Sequence, residues 1–301
     1  MVKLSLSANH KECSMGRWLK IFLELSKFRL SLLVALSTGT GFILATHGLS
    51  RGIVLPVVGI FLLACGSSTL NQYQEREIDA LMDRTKGRPI PSGAVRPLHA
   101  LLVALSLIFS GFLILFYGSN LGALGLSILA VLWYNGVYTY LKRESAFAAI
   151  PGALVGAVPP AVGWTAGGGG LLEPQVLAIA FFFFIWQVPH SWLLLLSYPE
   201  DYEKAGLPSL TRMFTTGQLT RIVFMWILGT AATCLFLIPI FGIVNSYLMN
   251  FSLLVATLWL VWKATKLLRA QDREFSFRFA FREINIYALL VLSLLSLGTL
   301  T

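Results

Sequence analysis

The chain has 301 residues, of which 56% are apolar and only 12% are charged, and its formal net charge is +9. A soluble domain carries about 25% charged residues, so this composition indicates an integral membrane protein. The positive charge does not indicate a nucleic-acid partner, because the basic residues lie in short clusters between long apolar stretches.

The first segment is polar and contains no apolar core of the kind found in signal peptides. Residues 1–27 are therefore predicted to be a cytoplasmic tail, and residues 28–301 a single transmembrane domain. A helix needs about 20 mostly apolar residues to cross a bilayer. Nine stretches meet this requirement and are predicted as spans one to nine: 28–46, 52–72, 98–117, 120–141, 146–164, 174–197, 219–239, 244–265 and 280–299.

The charged residues predict how these spans are oriented. Of the 23 lysines and arginines, 22 fall on one side of the nine spans, and only Arg51 lies on the other. The positive-inside rule then places the N-terminus in the cytoplasm and the C-terminus outside. Of the 14 acids, all but Glu173 lie on the cytoplasmic side or at its helix ends. The sequence therefore predicts an all-α membrane protein whose helices surround a central cavity open to the cytoplasm.

The first acidic motif follows span two. Asn71, Glu75 and Asp79 are spaced by four residues, so they share one face if the helix of span two continues. Such a ladder of oxygen ligands suits Mg²⁺, which proteins hold with one or two carboxylates plus substrate phosphates. Glu77 would point away from this face.

Three basic residues follow this motif directly: Arg84, Lys86 and Arg88. One arginine side chain can donate hydrogen bonds to two phosphate oxygens at once. Carboxylates that bind a metal, next to basic residues that bind phosphate, therefore suit a metal–diphosphate complex. The alternative is a solvated loop whose basic residues contact anionic lipid.

A second acidic cluster follows span six, where Glu200, Asp201 and Tyr202 come after Trp186 and His190. His190 is either an ordinary polar residue with a partner or a cavity residue that contacts an acceptor, and iron ligation by its ring is left open. At the cytoplasmic end of span four, Tyr138 precedes Lys142 and Arg143. These two cations either complement the helix dipole or bind a diphosphate leaving group.

These stretches resemble the UbiA superfamily of intramembrane prenyltransferases, and most closely its protoheme IX farnesyltransferase branch. The similar segments run over most of residues 25–295 and include NQYQEREIDALMDRTKGRPIPSG, YTYLKRES, GAVPPAVGWTAG and WQVPHSWLLLLSYPEDYEKAGLPSL. The chain departs from that branch at Ser191, where phenylalanine is usual, and at Ser197, where a basic residue is common.

The resemblance implies site residues and a reaction. Magnesium is expected at Glu75, Asp79, Glu200 and Asp201; Asp79, Arg84, Lys142 and Arg143 are expected to be catalytic; and Asn71, Lys86, Arg88, Tyr138, Trp186, His190 and Tyr202 are expected to bind substrates. The implied reaction joins the farnesyl group of farnesyl diphosphate to a vinyl group of haem B, as a substrate, to give haem O.

The resemblance also suggests the surroundings of the protein. It implies a cytoplasmic (inner) membrane location with the active site on the cytoplasmic face, and a haem A synthase or terminal-oxidase assembly factors as protein partners. Two alternatives stay open, which are a prenyltransferase for an aromatic quinone precursor and a membrane transporter. A transporter would place charges near the bilayer midplane, whereas the centres of these spans are almost free of them.

Overall fold

A computed structural model describes residues 15–243, 246–269 and 273–300, with no side-chain detail for 273–275. These residues form fourteen α-helices: α1 (Met15–Leu25), α2 (Phe28–Thr46), α3 (Val54–Gln74), α4 (Arg76–Leu81), α5 (Pro97–Gly118), α6 (Leu121–Val131), α7 (Thr139–Glu144), α8 (Ala149–Gly152), α9 (Leu154–Ala166), α10 (Pro174–Leu196), α11 (Pro199–Lys204), α12 (Thr216–Ile240), α13 (Tyr247–Arg269) and α14 (Arg273–Leu300). Short 3₁₀ turns cover Arg51–Ile53 and Leu210–Arg212, and a π-helix covers Leu132–Tyr138.

The nine predicted spans are confirmed. Within the described ranges, nine helical segments are long and apolar enough to cross a membrane: Phe28–Thr46, Arg51–Gln74, Pro97–Gly118, Leu121–Glu144, Ala149–Ala166, Pro174–Leu196, Thr216–Ile240, Tyr247–Arg269 and Ser276–Leu300. Their ends differ from the prediction by a few residues. Large apolar side chains such as Leu102, Phe109 and Phe116 of α5 are exposed on the outer surface, as expected of side chains that face lipid.

The helices form a closed arrangement, because α14 packs against both α10 and α2. The Ser296 hydroxyl donates to the Thr40 hydroxyl at 3.0 Å across the contact between α14 and α2. At the centre, α2 and α9 approach closely at glycines. A Cβ on Gly41 or Gly163 would overlap the backbone of the opposite helix, so neither position has room for a side chain. Small residues allow this backbone approach between membrane helices.

The predicted N-terminal tail contains helix α1. Its exposed large apolar residues, Trp18, Leu19 and Phe22, accompany Arg17 and Lys20. The Gln72 side chain donates to the carbonyls of Glu24 and Leu25 at 3.0 and 2.8 Å and thereby ties the end of α1 to α3. This amphipathic composition suits a helix that lies in a membrane interface.

The chemistry-bearing residues lie at one end of the bundle, here called the motif end and defined by Glu75, Lys142 and Asp201. A cavity of about 460 Å³ lies at this end, between the segment after α7 and the loop after α11. Another of about 310 Å³ lies at the opposite end, lined by His47 and Glu173 among others. The orientation of the bundle and a continuous central cavity stay predictions.

Candidate active site

The first acidic motif lies where α3 passes into α4. The helix bends at Glu75, yet the Glu75 N–H still donates to the Asn71 carbonyl, and the Asp79 N–H to the Glu75 carbonyl, at 3.0 and 2.8 Å. All three side chains are buried. The shared face predicted from their spacing is therefore present, and Glu77 is exposed as expected.

The two buried carboxylates of this motif, Glu75 and Asp79, are each paired with a cation. The Lys142 Nζ lies 2.5 Å from the Glu75 Oε1, and the Arg88 Nη1 donates to the Asp79 Oδ2 at 2.7 Å. The partners come from different parts of the chain, because Lys142 ends span four and Arg88 lies in the loop after α4. Folding therefore brings together the acids and bases that the sequence displays separately.

A third basic residue, Lys27, joins this cluster from the position just before α2. Its Nζ donates to the Asn71 Oδ1 at 3.5 Å. Burial, helped by the charges of Arg88 and Lys142, lowers the pKa of Lys27 to about 7. Sequence reasoning counted Lys27 only as a topology signal, since nothing local connects it with a motif more than forty residues away.

These five charged groups form what we call the charge cluster: Lys27, Glu75, Asp79, Arg88 and Lys142. It contains more basic groups than acids and is largely shielded from water. Charge in such surroundings is stabilised only by opposite charge and hydrogen bonds. The cluster is therefore suited to receive an anion.

The π-helix of span four supports the cluster from one side. The Asn135 Nδ2 donates to the Ser67 carbonyl at 3.0 Å, and the Asn71 Nδ2 donates at 3.1 Å to the hydroxyl of Thr139, the first residue after the π-helix. Tyr138 from the same turn stacks on Tyr134 with ring centroids 6.0 Å apart, and its ring lies 5.4 Å from the Lys142 Nζ. Single π-turns are frequent at functional sites because they redirect side chains.

The second acidic cluster holds the loop after α4 in place. Asp201 is buried and accepts the backbone N–H groups of Asp83 and Arg84 at 2.8 and 3.2 Å. Glu200, beside it, is exposed. Among the described residues, no group of three His, Cys, Asp or Glu side chains lies close enough to hold a metal ion. The contacts of Asp201 are thus those of a loop anchor, and metal binding by Glu200 and Asp201 stays a prediction.

Ion pairs on the outer face of the same loop add to this anchoring. Asp83 lies 2.5 Å from the Lys204 Nζ and 2.6 Å from the Lys86 Nζ. Hydrogen bonds from Lys204 and Lys86 lower the pKa of Asp83 to about 2, and hydrogen bonding to Asp83 raises the pKa of Lys204. Lys86 is exposed and paired here, outside the charge cluster.

The remaining predicted cations lie around the cluster. Arg143 is exposed, donates to the Gln74 carbonyl at 2.8 Å at the end of α3, and covers the Tyr140 ring. Arg84 lies over the Tyr198 ring, with its Cζ 5.3 Å from the centroid, and Arg278 of α14 lies over the same ring at 5.1 Å.

Arg278 is a residue that sequence reasoning missed. Its Nη2 donates to the Ser197 carbonyl at 3.4 Å, so span nine brings a guanidinium group to Ser197.

Tyr202 directly follows Asp201 in α11. Burial raises the pKa of Tyr202, and the charges of Arg84 and Lys142 oppose that rise. Its predicted role in binding substrate stays a prediction.

Trp186 and His190 lie deeper, on the face of α10 that meets α14. The His190 ring packs against those of Trp186 and Phe281, with centroids 4.8 and 4.9 Å away. The His190 Nδ1 lies 3.0 Å from the Asn285 Oδ1. His190 is therefore a polar residue with a partner, and it is still partly accessible.

Comparison with known proteins identifies the class. The UbiA prenyltransferase family matches residues 33–289. In overall fold, the chain is similar to a UbiA homolog from Archaeoglobus fulgidus bound to GPP and Mg²⁺, with a TM-score of 0.70 at 16% identity over 93% of this chain and 99% of the other. The chain belongs to the UbiA prenyltransferase family and is an intramembrane enzyme.

Curated relatives narrow the class further. The protoheme IX farnesyltransferase of Geobacter sulfurreducens is 38% identical over 73% of this chain and 81% of its own. That of Oleidesulfovibrio alaskensis is 31% identical over 90% of this chain and 94% of its own. The expected resemblance is confirmed over most of the sequence.

The ion pair between Lys142 and Glu75 can be tested by removing its members in turn. Lys142→Met leaves a buried carboxylate without its cation, which costs about 3–5 kcal/mol at a buried pair. We expect a lower midpoint in thermal unfolding and about a 100-fold or greater loss of prenyl transfer. Arg76→Met, which removes a partly exposed arginine beside Glu77 and outside the charge cluster, should change neither quantity.

The double variant Glu75→Gln/Lys142→Met separates stability from catalysis. It leaves no unpaired charge, so most of the thermal stability should return while transfer stays lost. Lys142→Met with wild-type stability and activity would contradict the assignment of this pair to the site.

Proposed function

We propose that this protein transfers the farnesyl group of farnesyl diphosphate to a vinyl group of haem B, giving haem O and diphosphate. The observation that carries the proposal is the charge cluster, in which three basic side chains (Lys27, Arg88 and Lys142) surround two buried carboxylates. A diphosphate would supply negative charge that these basic groups can bind. The names of the curated relatives supply the farnesyl donor and the haem acceptor.

The residues of the first motif fit a magnesium ion. Asn71, Glu75 and Asp79 present an amide and two carboxylates on one helical face, and Mg²⁺ commonly takes one or two carboxylates with substrate phosphates and water. One of the solved UbiA homologues contains Mg²⁺ with GPP. When bound, magnesium would neutralise part of the diphosphate charge and make it a better leaving group.

Substrate binding would exchange the partners inside the charge cluster. Lys142 and Arg88 now bond to Glu75 and Asp79. Both cations are donors suited to phosphate oxygens, and the carboxylates they release are the oxygens that a magnesium ion needs. The existing ion pairs hold the site together before substrate arrives, since an unpaired charge would be costly there.

The chemical step breaks the bond between farnesyl C1 and the diphosphate oxygen. The electron pair leaves with diphosphate, whose growing charge Lys142, Arg88 and Lys27 stabilise. The π-electrons of the haem vinyl group then form the new carbon–carbon bond to C1. Water adds to the resulting cation and loses a proton, which completes a hydroxyethylfarnesyl substituent.

Aromatic side chains beside the charge cluster suit the cationic carbon. Tyr134 and Tyr138 stack together, and the Tyr138 ring already lies near one cation, Lys142. A ring face attracts positive charge, with a contribution of about 1–2 kcal/mol in a site shielded from water. The loop held by Asp201 also brings Arg88 into the charge cluster, and it would keep water from the allylic cation before the acceptor reacts.

The second candidate is prenyl transfer to an aromatic quinone precursor. The same donor site would serve it, because the charge cluster recognises diphosphate and not the acceptor. The two acceptors can be distinguished by absorption. Haem bound near His190 and Trp186 would bring an iron and a porphyrin absorbance, and a quinone precursor would bring neither. A haem A synthase or an oxidase assembly factor stays a predicted partner of the haem reaction.

The proposed reaction is tested with purified protein, haem B, farnesyl diphosphate and Mg²⁺, followed by mass analysis of the extracted haem. We expect a gain of one hydroxyethylfarnesyl substituent. Asp79→Ala removes both a metal oxygen and the partner of Arg88, so we expect it to reduce product about 100-fold or more. EDTA should abolish the product, and added magnesium should restore it.

Glu77→Ala is the matched control, since Glu77 is two residues away and exposed. It should retain wild-type transfer. Unchanged haem in the wild-type reaction, beside an active reference enzyme, would overturn the haem assignment, and aromatic acceptors would then be offered to the same preparation.

We further propose that the motif end faces the cytoplasm, on the basis of the lysine and arginine distribution. Single cysteines at Glu77 and Leu49 test this, because both positions are exposed and lie at opposite ends of the bundle. In a background with Cys13→Ser, a membrane-impermeant maleimide should label Leu49→Cys in intact spheroplasts and Glu77→Cys only after lysis. Cys65 and Cys234 are buried and should give little background. The reverse labelling pattern would invert the topology.

A further inference from the structure

We propose that Asn285 is a positioning residue that holds the His190 ring with its proton on Nδ1, so that Nε2 presents a lone pair to the iron of the haem acceptor. This inference rests on the proposed function, because it requires haem B as the acceptor. Sequence reasoning left iron ligation open and did not consider Asn285. Two hydrogen bonds determine which ring nitrogen carries the proton.

The first hydrogen bond fixes the orientation of the Asn285 amide. Its nitrogen lies 2.5 Å from the Phe281 carbonyl, one turn earlier in α14. A carbonyl oxygen only accepts hydrogen bonds, so the amide must present its N–H there. The Oδ1 atom of Asn285 therefore points in the other direction, toward His190.

The second hydrogen bond fixes the histidine. The Asn285 Oδ1 lies 3.0 Å from the His190 Nδ1 and accepts only, so the ring donates from Nδ1. In a neutral imidazole, the other nitrogen is then the one with the lone pair. No residue in the described ranges forms a hydrogen bond to Nε2, and the mostly buried side chain keeps some accessible surface, so we infer that this edge is available to a ligand.

Two aromatic rings pack against the imidazole and restrict its movement. The centroids of Trp186 and Phe281 lie 4.8 and 4.9 Å from that of His190. Trp186 is itself fixed, because its Nε1 donates to the Ile284 carbonyl of α14 at 3.0 Å. Histidines that bind metals commonly donate the other ring N–H to such an outer partner, which sets the tautomer and raises ligand basicity.

The four residues of this contact come in equal numbers from α10 and α14. Trp186 and His190 are four residues apart on α10, and Phe281 and Asn285 are four apart on α14. Each helix thus contributes one ring and one hydrogen-bonding side chain to the same contact. A residue needed only for packing would not require the polar half of this set inside a membrane.

The test is spectroscopic. Haem B is titrated into the full-length protein in detergent, and its absorption and electron paramagnetic resonance spectra are recorded. We expect the wild type to show an imidazole-ligated haem. His190→Gly should lose that signature and regain it when imidazole is added. Asn285→Leu should weaken haem affinity about 10-fold or more, as for other outer partners of metal ligands.

Two further variants distinguish the positioning of His190 by Asn285 from a general loss of structure. Asn285→Asp keeps an acceptor for the Nδ1 proton, so it should preserve ligation and lower the haem reduction potential. Thr299→Val makes a comparable polar-to-apolar change near the end of α14 and should behave as wild type. If Asn285→Leu fails to fold, Asn285→Asp and imidazole rescue of His190→Gly still decide the matter.

Failure of this inference and failure of the proposed function give different results. Wild-type protein that neither binds nor prenylates haem B would overturn both. Wild-type protein that prenylates haem B, with a spectrum that His190→Gly, Asn285→Asp and Asn285→Leu leave unchanged, would overturn only the role of Asn285 and His190.

Discussion

The arrangement of the motif end depends on one constraint, which is that buried charges must be paired. Glu75 and Asp79 lie in a helical segment at the edge of an apolar bundle, where an isolated carboxylate would be very costly. Lys142 and Arg88 offset that cost, and Lys27 adds a further basic group. These partners come from spans one, two and four and their loops. Forming the ion pairs therefore also fixes the positions of those spans relative to one another.

The second constraint is the position of the loop that carries Arg84 and Arg88. Asp201 accepts two backbone N–H groups of this loop, so a residue from the end of span six determines where cations from the end of span two are held. The fold thereby links donor binding to α11, which directly follows α10, the helix that carries His190. The two halves of the proposed reaction, diphosphate release and acceptor positioning, therefore depend on consecutive helices.

Hydropathy and helical spacing predicted much of this structure. The nine spans follow from the requirement that a helix cross about 30 Å of hydrocarbon, and the shared face of Asn71, Glu75 and Asp79 follows from helical periodicity. What the sequence did not predict depends on contacts between distant segments. Lys27 and Asn285 sit in otherwise ordinary stretches, and only packing of α2 on α3 and of α14 on α10 reveals their partners. Likewise, the π-helix and the different exposure of Glu200 and Asp201 leave no periodic signal.

We propose that the charge cluster binds metal and diphosphate together. Calorimetric titration with a non-hydrolysable farnesyl diphosphate analogue and Mg²⁺, added separately and jointly, tests it most directly. Lys142 and Arg88 already neutralise the carboxylates, so we expect Mg²⁺ alone to bind weakly. With the analogue present, we expect Mg²⁺ to bind at least about 10-fold more tightly, which is a coupling free energy of about 1.4 kcal/mol. Magnesium that binds equally well without the analogue, or an analogue that binds equally well to Glu75→Gln/Lys142→Met, would contradict it.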